Sequence, residues 1–217
     1  MTKTRLRMTK LGPAVYISHL DLMRTTRRAF TRADIALRHS EGFNPHPLMS
    51  FALPLSVGQE SVCELLDFEA EGALPPDAAE RLNDALPEGL RVLEIYAPEA
   101  KLSMIKYLEI TGYLFYDEKD KKVSRETISL FNDYFAAEKL IISKKTKRGE
   151  GEIDIKPMIS SISFSYYNSK QVSISAIISA QNPTLNPASI AAALPLKPDL
   201  AQFRRVQIFD SNLNVFR

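Results

Sequence analysis

The order of short apolar patterns is the feature that most constrains how this chain can fold. In the first hundred residues, alternating and helical patterns predict strand, helix, strand, strand, helix, strand. These segments cover residues 4–8, 18–34, 48–55, 62–69, 76–86 and 90–96. With antiparallel hairpin pairing, this order is the ferredoxin-like βαββαβ arrangement, a four-stranded sheet with both helices on one face.

A similar order follows the segment 97–102, which contains Pro98. Strands are predicted at 105–116, 140–145, 160–167, 171–179 and 203–209, and helices at 124–137 and 187–194. We therefore predict an α+β fold of two tandem ferredoxin-like modules, each an antiparallel sheet with helices on one face. The modules span residues 1–97 and 103–217, and residues 144–158 enlarge the second.

Two local signals support the first segments. Leu6 and Met8 alternate with Arg5 and Arg7, which predicts a strand with one buried and one polar face. Ser18 lies three residues before Asp21, the spacing of a capping box at a helix start. These signals predict where the first strand and the first helix lie.

The composition excludes several classes of protein. Of 217 residues, 45% are apolar and 25% are charged, which is typical of a folded globular chain rather than a disordered one. The single cysteine, Cys63, permits neither an internal disulfide nor a cluster of thiolate ligands, and burial is its default role. No run approaches the ~20 apolar residues of a membrane helix, and no signal peptide is visible. We expect a cytoplasmic protein without membrane contact.

The charge is distributed unevenly along the chain. Residues 1–48 carry nine basic and three acidic side chains, whereas residues 49–100 carry two basic and eleven acidic ones. A surface polarised in this way suits a protein that contacts an anion on one face. Random variation among surface residues produces the same asymmetry.

All three histidines lie within residues 18–47. His19 and Asp21 begin a helix, where free backbone N–H groups favour an anion. The loop 39–47 follows that helix, and its prolines restrict the backbone around Asn44 and His46. Glu41 belongs to the same loop. Two interpretations remain open, a ligand-reading loop and a shaped connection with surface histidines. The spacing matches no compact zinc motif, so we predict no metal site.

Basic side chains form two further candidate sites. Arg24, Arg28 and Arg32 recur at helical spacing, and Arg38 follows them, which suits either phosphate contacts or a solvated helix face. The segment 144–157 is either a phosphate grip or a charged, exposed hairpin. Its candidate substrate-binding residues are Lys144, Lys145, Lys147, Arg148, Asp154 and Lys156.

Three segments of the first module carry a family resemblance. They read S-H-L-D-L-M-R, R-A-F-T-R-A-D-I and S-E-G-F-N-P-H-P-L-M-S-F-A-L-P-L-S-V-G-Q-E-S, and K-T-K-R-G-E-G-E-I-D-I-K-P-M-I follows in the second. Together they resemble the radical-SAM-associated (radical-SAM-linked) protein family, an uncharacterised bacterial family. The resemblance implies a radical SAM enzyme as partner. Because this chain lacks C-x-x-x-C-x-x-C, the iron–sulfur cluster and S-adenosylmethionine are expected on that partner only, and no cofactor is expected here.

The residues and the resemblance together favour an accessory subunit that binds a polyanion, RNA, for a radical SAM enzyme. Its predicted phosphate contacts are Arg24, Arg28, Arg38 and the cations at 144–148, with Glu41, Asn44 and His46 reading the target. One alternative is an RNA-processing or RNA-modifying enzyme that uses His19 and His46 as acid and base. Another is a protein–protein adaptor that does not bind nucleic acid. Whether the chain is itself an enzyme stays open in this interpretation.

Overall fold

Helices are interspersed among pairs and longer runs of strands along the described chain. The computed structural model describes residues 3–117, 121–146 and 149–217, of which 144–146 and 149–150 are described by their backbone alone. These residues form a mixed α/β structure with ten strands, four α-helices and antiparallel pairing within each unit. The two units are Met1–Met104 with Phe216–Arg217, and Ile105–Val215.

The first unit builds its sheet around its first strand. Its elements are β1 (Thr4–Lys10), α1 (His19–Arg32), β2 (Met49–Phe51), β3 (Glu60–Phe68), α2 (Ala78–Ala85) and β4 (Leu90–Tyr96). The strand order is β4-β1-β3-β2, so the fourth strand lies beside the first and the third lies between the first and the second.

The second unit has the same strand order once one ribbon is set aside. Its elements are β5 (Tyr107–Phe115), α3 (Arg125–Ala136), β6 (Ile141–Thr146), β7 (Gly149–Asp154), β8 (Ile159–Asn168), β9 (Gln171–Ser179), α4 (Pro187–Ala193) and β10 (Leu200–Phe209). Its main sheet runs β10-β5-β9-β8. The predicted strand at 140–145 is not part of this sheet. It is β6, and it pairs with β7 in a separate two-stranded ribbon.

The predicted start of α1 is confirmed by its cap. The Ser18 hydroxyl accepts a hydrogen bond from the Asp21 amide (3.1 Å) and donates one to the Asp21 carboxylate (2.7 Å). One face of the helix then carries buried side chains into the core, where the rings of Phe30 and Phe68 lie 4.8 Å apart. Burial of that face, rather than helix propensity, holds α1 in place.

Gly89 joins α2 to β4 where no larger residue fits. Its φ of 87° lies in the left-handed region, and a Cβ atom there would lie 2.1 Å from the Leu11 carbonyl oxygen. The Leu11 amide donates to the Gly89 carbonyl at 2.8 Å. This close approach ties the end of β1 to the start of β4.

The alternation in β1 predicts that Arg5 lies on an exposed polar face, but the structure buries it. Its side chain is fully buried and bonds the Asp67 carboxylate twice, from Nε (2.6 Å) and Nη2 (3.0 Å). Nη2 also donates to the Ala100 carbonyl at 2.9 Å, and the guanidinium lies 5.0 Å from the Phe216 ring centroid. The prediction is wrong because β1 is an inner strand, and structure far along the chain covers its second face.

One strand boundary and one strand register also differ from the predicted pattern. The strand predicted at 48–55 pairs in the ladder only over β2, and one further bond runs from the Ala52 amide to the Leu65 carbonyl at 2.9 Å. In β10 the register shifts between Arg205 and Gln207. This irregularity explains why Phe203 and Ile208 are both buried although they are five residues apart.

The remaining sequence predictions concern burial and membranes. Cys63 is buried in β3, as expected for a lone cysteine. Within the described ranges, no helix is both long and apolar enough to cross a membrane.

We predict that Asp67→Ala lowers the free energy of unfolding by about 3–5 kcal/mol, because it leaves the Arg5 charge buried without its carboxylate. Urea unfolding of the full chain measures this change. Asp21→Ala is the matched control, since its carboxylate is exposed and costs far less to lose. The double variant Arg5→Met with Asp67→Leu recovers much of the loss. A single Asp67→Ala variant as stable as the control would contradict this account.

Candidate functional site

The histidine loop of the first unit is a closed hairpin rather than a loose connection. The Ser40 amide donates to the His46 carbonyl (2.8 Å), and the Leu48 amide donates to the Arg38 carbonyl (2.7 Å). A β-bridge also joins His39 to Pro47. We call residues 38–48 the histidine hairpin. The tip, residues 41–45, is exposed, as are His39 and His46 on either side of it.

The tip presents three chemically different side chains. Glu41, Phe43 and Asn44 are all exposed, and the Phe43 ring is in full contact with solvent. His46 follows the tip, with its Nδ1 atom 2.8 Å from the Ser40 hydroxyl and its amide donating to that hydroxyl at 3.1 Å. One serine therefore orients both the backbone and the ring of His46.

An ion pair anchors the base of the histidine hairpin. Arg38 bonds the Glu69 carboxylate at 2.7 Å, and its amide donates to the Glu69 carbonyl at 2.9 Å. Both side chains are partly buried. Arg38, a predicted phosphate contact, therefore lies beside the Glu69 carboxylate, which directly follows β3.

A cleft of about 680 Å³ lies beside the histidine hairpin, within the size range of small-molecule sites. Its apolar wall includes Leu48, Met49 and Phe68. Its polar lining includes cations, carboxylates and hydroxyls, together with His46: Lys3, Ser50, Asp67, Glu69, Glu99, Lys101 and Ser103.

Each carboxylate of the cleft faces an arginine. Asp67 is bonded by Arg5, Glu69 by Arg38, and Glu99 lies 3.7 Å from Arg217. In the part of the chain that the structure describes, the ammonium groups of Lys3 and Lys101 form no ion pair or hydrogen bond. The cleft therefore presents two uncompensated positive charges, which favour an anionic ligand.

All four arginines of α1 are exposed, and two of them, Arg24 and Arg28, extend into solvent without a bond to another element among the described residues. Arg24 and Arg28 are one helical turn apart. Arg24 lies 3.5 Å from the Asp21 carboxylate, but both side chains are more than half exposed, so the pair contributes little. Among the described residues, the Arg28 side chain has no ion-pair partner. Both guanidiniums are accessible to a phosphate.

The other arginines of α1 have separate surroundings. Arg32 donates to the Ala85 carbonyl at the end of α2 (3.3 Å). Arg27 lines a second cleft of about 310 Å³ with Asp34, His39 and Glu71. The predicted arginine stripe is thus divided, and its outer part consists of Arg24 and Arg28.

The two histidines predicted as an acid–base pair have different neighbours. His19 packs edge-on against Phe51, with ring centroids 6.0 Å apart, whereas His46 bonds Ser40. In the described ranges no hydrogen bond or ring contact joins the two histidines, and no three His, Cys, Asp or Glu side chains group to hold a metal ion. Their acid–base role stays a prediction.

Two candidate cations of the second unit lie on the β6–β7 ribbon, and Lys156 follows it. Lys144 and Lys145 belong to β6, whose backbone alone is described there, and Lys147 and Arg148 lie outside the described residues. Asp154 accepts from the amides of Leu140 (2.9 Å) and Lys156 (3.0 Å). These amide bonds lower the pKa of the Asp154 carboxyl. The Lys156 ammonium donates to the Phe135 carbonyl. Asp154 and Lys156 therefore stabilise the base of the ribbon.

Sequence reasoning missed the residues that complete the cleft. Lys3 and Lys101 are far apart in the chain, and no local pattern connects them. Phe43 carried a usable signal, because an aromatic residue between Gly42 and Asn44 in a polar loop has no core to enter.

We predict that Ser40→Ala speeds amide hydrogen exchange at Ser40 and His46, because the hydroxyl that orients His46 is lost. Hydrogen-exchange mass spectrometry of the full chain measures this change. Exchange in β1 and β3 is expected to stay unchanged, and Ser56→Ala, an exposed serine outside the histidine hairpin, is the control. Unchanged exchange at His46 would show that the backbone bonds alone hold the hairpin.

Solved structures with a similar fold include two with TM-scores of at least 0.5. A chain of a Cbf5–Nop10–Gar1 complex aligns with TM-score 0.51 and 9% identity over 94% of this chain and 48% of that chain. A chain of an H/ACA RNP bound to a substrate RNA containing 2'-deoxyuridine aligns with TM-score 0.50 and 10% identity over 93% and 46%. The present chain thus spans about half the length of those chains. At this identity the likeness shows the fold alone.

Sequence comparison gives a family but no characterised relative. No curated protein matches the chain. Residues 3–187 match the family described as "Uncharacterized protein conserved in bacteria (DUF2344)", which is most of the chain and includes the histidine hairpin, α1 and both lysines of the cleft. The chain therefore belongs to this bacterial family.

Proposed function

We propose that this protein is an accessory subunit that binds RNA and presents it to a radical SAM enzyme. The observation that carries the proposal is the charge of the cleft beside the histidine hairpin. Its carboxylates each face an arginine, while Lys3 and Lys101 remain as uncompensated cations. These two cations attract an anion, and in this proposal the anion is a phosphate group of RNA.

Arg24 and Arg28 extend the proposed contact along the RNA backbone. Their guanidiniums are exposed on one face of α1, and the Asp21 pair holds Arg24 only weakly. Arginine at an exposed helix face can bond phosphate oxygens in bidentate geometry. These contacts position the RNA without reading its sequence.

The tip of the histidine hairpin is the proposed reading element. Glu41 accepts hydrogen bonds from base amino groups, and the Asn44 amide both donates and accepts. His46, held by Ser40, lines the cleft that takes the phosphate. A base unstacked from its neighbours can lie against the exposed Phe43 ring.

Two kinds of likeness support this proposal. The H/ACA RNP structure with similar fold was solved with a substrate RNA bound, which favours RNA as the ligand here. The sequence resemblance to the radical-SAM-linked family favours the partner. Since this chain has one cysteine, the iron–sulfur cluster and S-adenosylmethionine are assigned to that partner, in the cytoplasm.

We also propose that both units are ferredoxin-like modules, within the domain limits 1–97 and 103–217. The support is their shared strand order, in which the fourth strand lies beside the first and the third separates the first from the second. The β6–β7 ribbon is then an insertion between the first helix and the second sheet strand of the later module.

Removing the cleft lysines tests the RNA proposal. We expect Lys3→Ala with Lys101→Ala to weaken RNA binding and to reduce the slope of log K against log salt by about 0.7 for each lost phosphate contact. Arg24→Ala with Arg28→Ala should do the same. Binding to RNA recovered by crosslinking in the native cell measures both. Arg81→Ala is the control, since it removes an exposed arginine on α2 that pairs with Asp77.

The same purification separates this proposal from its alternatives. Recovery of a radical SAM enzyme without RNA would refute RNA binding and favour an adaptor. Turnover of the recovered RNA by the purified chain, lost in His19→Ala or His46→Ala while affinity persists, would instead identify an enzyme. Recovery of RNA with no radical SAM enzyme would refute the partnership.

A further inference from the structure

The main sheet of the second unit has one covered and one open face. On the covered face, Phe164 packs against Phe131 and Phe135 of α3, with ring centroids 5.5 and 5.3 Å apart. Leu114 and Val172 are fully buried on the same face. Successive strand residues point to opposite faces, so their neighbours form the open face, which is exposed around Tyr113 and Ser175, whereas Ser179 farther along it is buried.

Two tyrosines stand on the open face. Cross-strand pairing places Tyr113 of β5 beside Ser173 of β9, and Ser173 beside Ser165 of β8. Tyr167 of β8 reaches across this row, so that its ring centroid lies 5.4 Å from that of Tyr113 with an interplanar angle of 70°. The two rings are 43% and 60% exposed. Neither ring is buried in the core, and each fixes the orientation of the other.

The next row of the open face is polar and includes one cation. It runs from Arg204 of β10 through Thr111 and Ser175 to Ser163. Arg204, Ser175 and Ser163 are exposed. Hydroxyls and a guanidinium beside two aromatic rings can bond the sugar and phosphate of a nucleotide whose base stacks on a ring.

The charge of the open face suits the same ligand. Among the described residues of the four strands, Glu109 is the one carboxylate that shares this face, and it is partly buried. Arg204 lies on the face itself, and Lys170, exposed in the turn between β8 and β9, lies 3.8 Å from the exposed Asp117 carboxylate. The face thus combines aromatic surface with little negative charge, which is the chemistry of a surface that binds single-stranded nucleic acid.

We propose that the open face of the second unit binds unpaired nucleotides of RNA by stacking bases on Tyr113 and Tyr167. This inference rests on the proposed function, because it names the form of RNA and a second surface that holds it. A base within a double helix is stacked on both sides, so only single-stranded segments can offer a ring to this face. The cations of the first unit, in contrast, bind the phosphates of single-stranded and double-stranded RNA alike.

The test uses the full chain and two RNA probes of equal length, a single-stranded oligouridine and a self-complementary hairpin. We expect Tyr113→Ala and Tyr167→Ala each to weaken oligouridine binding roughly 5- to 100-fold in fluorescence anisotropy, the loss of one base–aromatic stack. Tyr113→Phe and Tyr167→Phe keep the rings and should bind like the wild type. Binding of the hairpin stem should change little.

Ultraviolet crosslinking with peptide mapping gives an independent readout. The oligouridine should crosslink to peptides that contain Tyr113 or Tyr167. Equal oligouridine affinity in the Ala variants, with crosslinks elsewhere, would overturn this inference while leaving RNA binding by the first unit intact. If the wild-type chain binds neither probe, the proposed function itself fails. A fall in the unfolding midpoint of the Ala variants with unchanged affinity would show that the rings only stabilise the sheet.

Discussion

The buried Arg5–Asp67 pair is the constraint on which the first unit depends. A guanidinium without solvent requires both a counter-charge and hydrogen-bond acceptors, since an unpaired buried ion is very costly. Asp67 supplies the charge from the facing strand, and the Ala100 carbonyl accepts a further bond. Because Asp67 and Ala100 also line the large cleft, the interactions that bind Arg5 also hold part of the cleft wall.

Charge pairing also explains why the cleft suits an anion although it contains three carboxylates. Arg5 and Arg38 bond Asp67 and Glu69, and Arg217, which also bonds Glu94, lies 3.7 Å from the exposed Glu99, so each carboxylate has a cation beside it. What remains is the charge of Lys3 and Lys101. The proposed RNA-binding surfaces then differ in chemistry. The first unit offers cations and a polar hairpin tip, which suit phosphates and base edges, and the second offers aromatic rings on a sheet, which suit base faces.

Local patterns predicted most elements well. Strands β4 and β9 were predicted at their observed limits, and α1 was predicted with its Ser18 cap, because alternation and capping act over a few residues. The candidate site was only partly predictable. The histidine loop and the exposed Arg24 and Arg28 were visible in sequence, whereas Lys3 and Lys101 were not, since folding alone brings their segments to one cleft. The Tyr113–Tyr167 contact likewise depends on the pairing of β5, β9 and β8.

The sequence by itself determined the order of strands and helices apart from β7, the caps and turns, and the uneven distribution of charge, since these depend on neighbouring residues. Only the tertiary structure decided that Arg5 is buried, that β6 pairs with β7 outside the main sheet, and which charges of the cleft remain uncompensated. The physical reason is that burial and ion pairing depend on partners such as Asp67 and Phe216, 62 and 211 positions from Arg5. No short-range pattern records which distant side chain will meet a given charge.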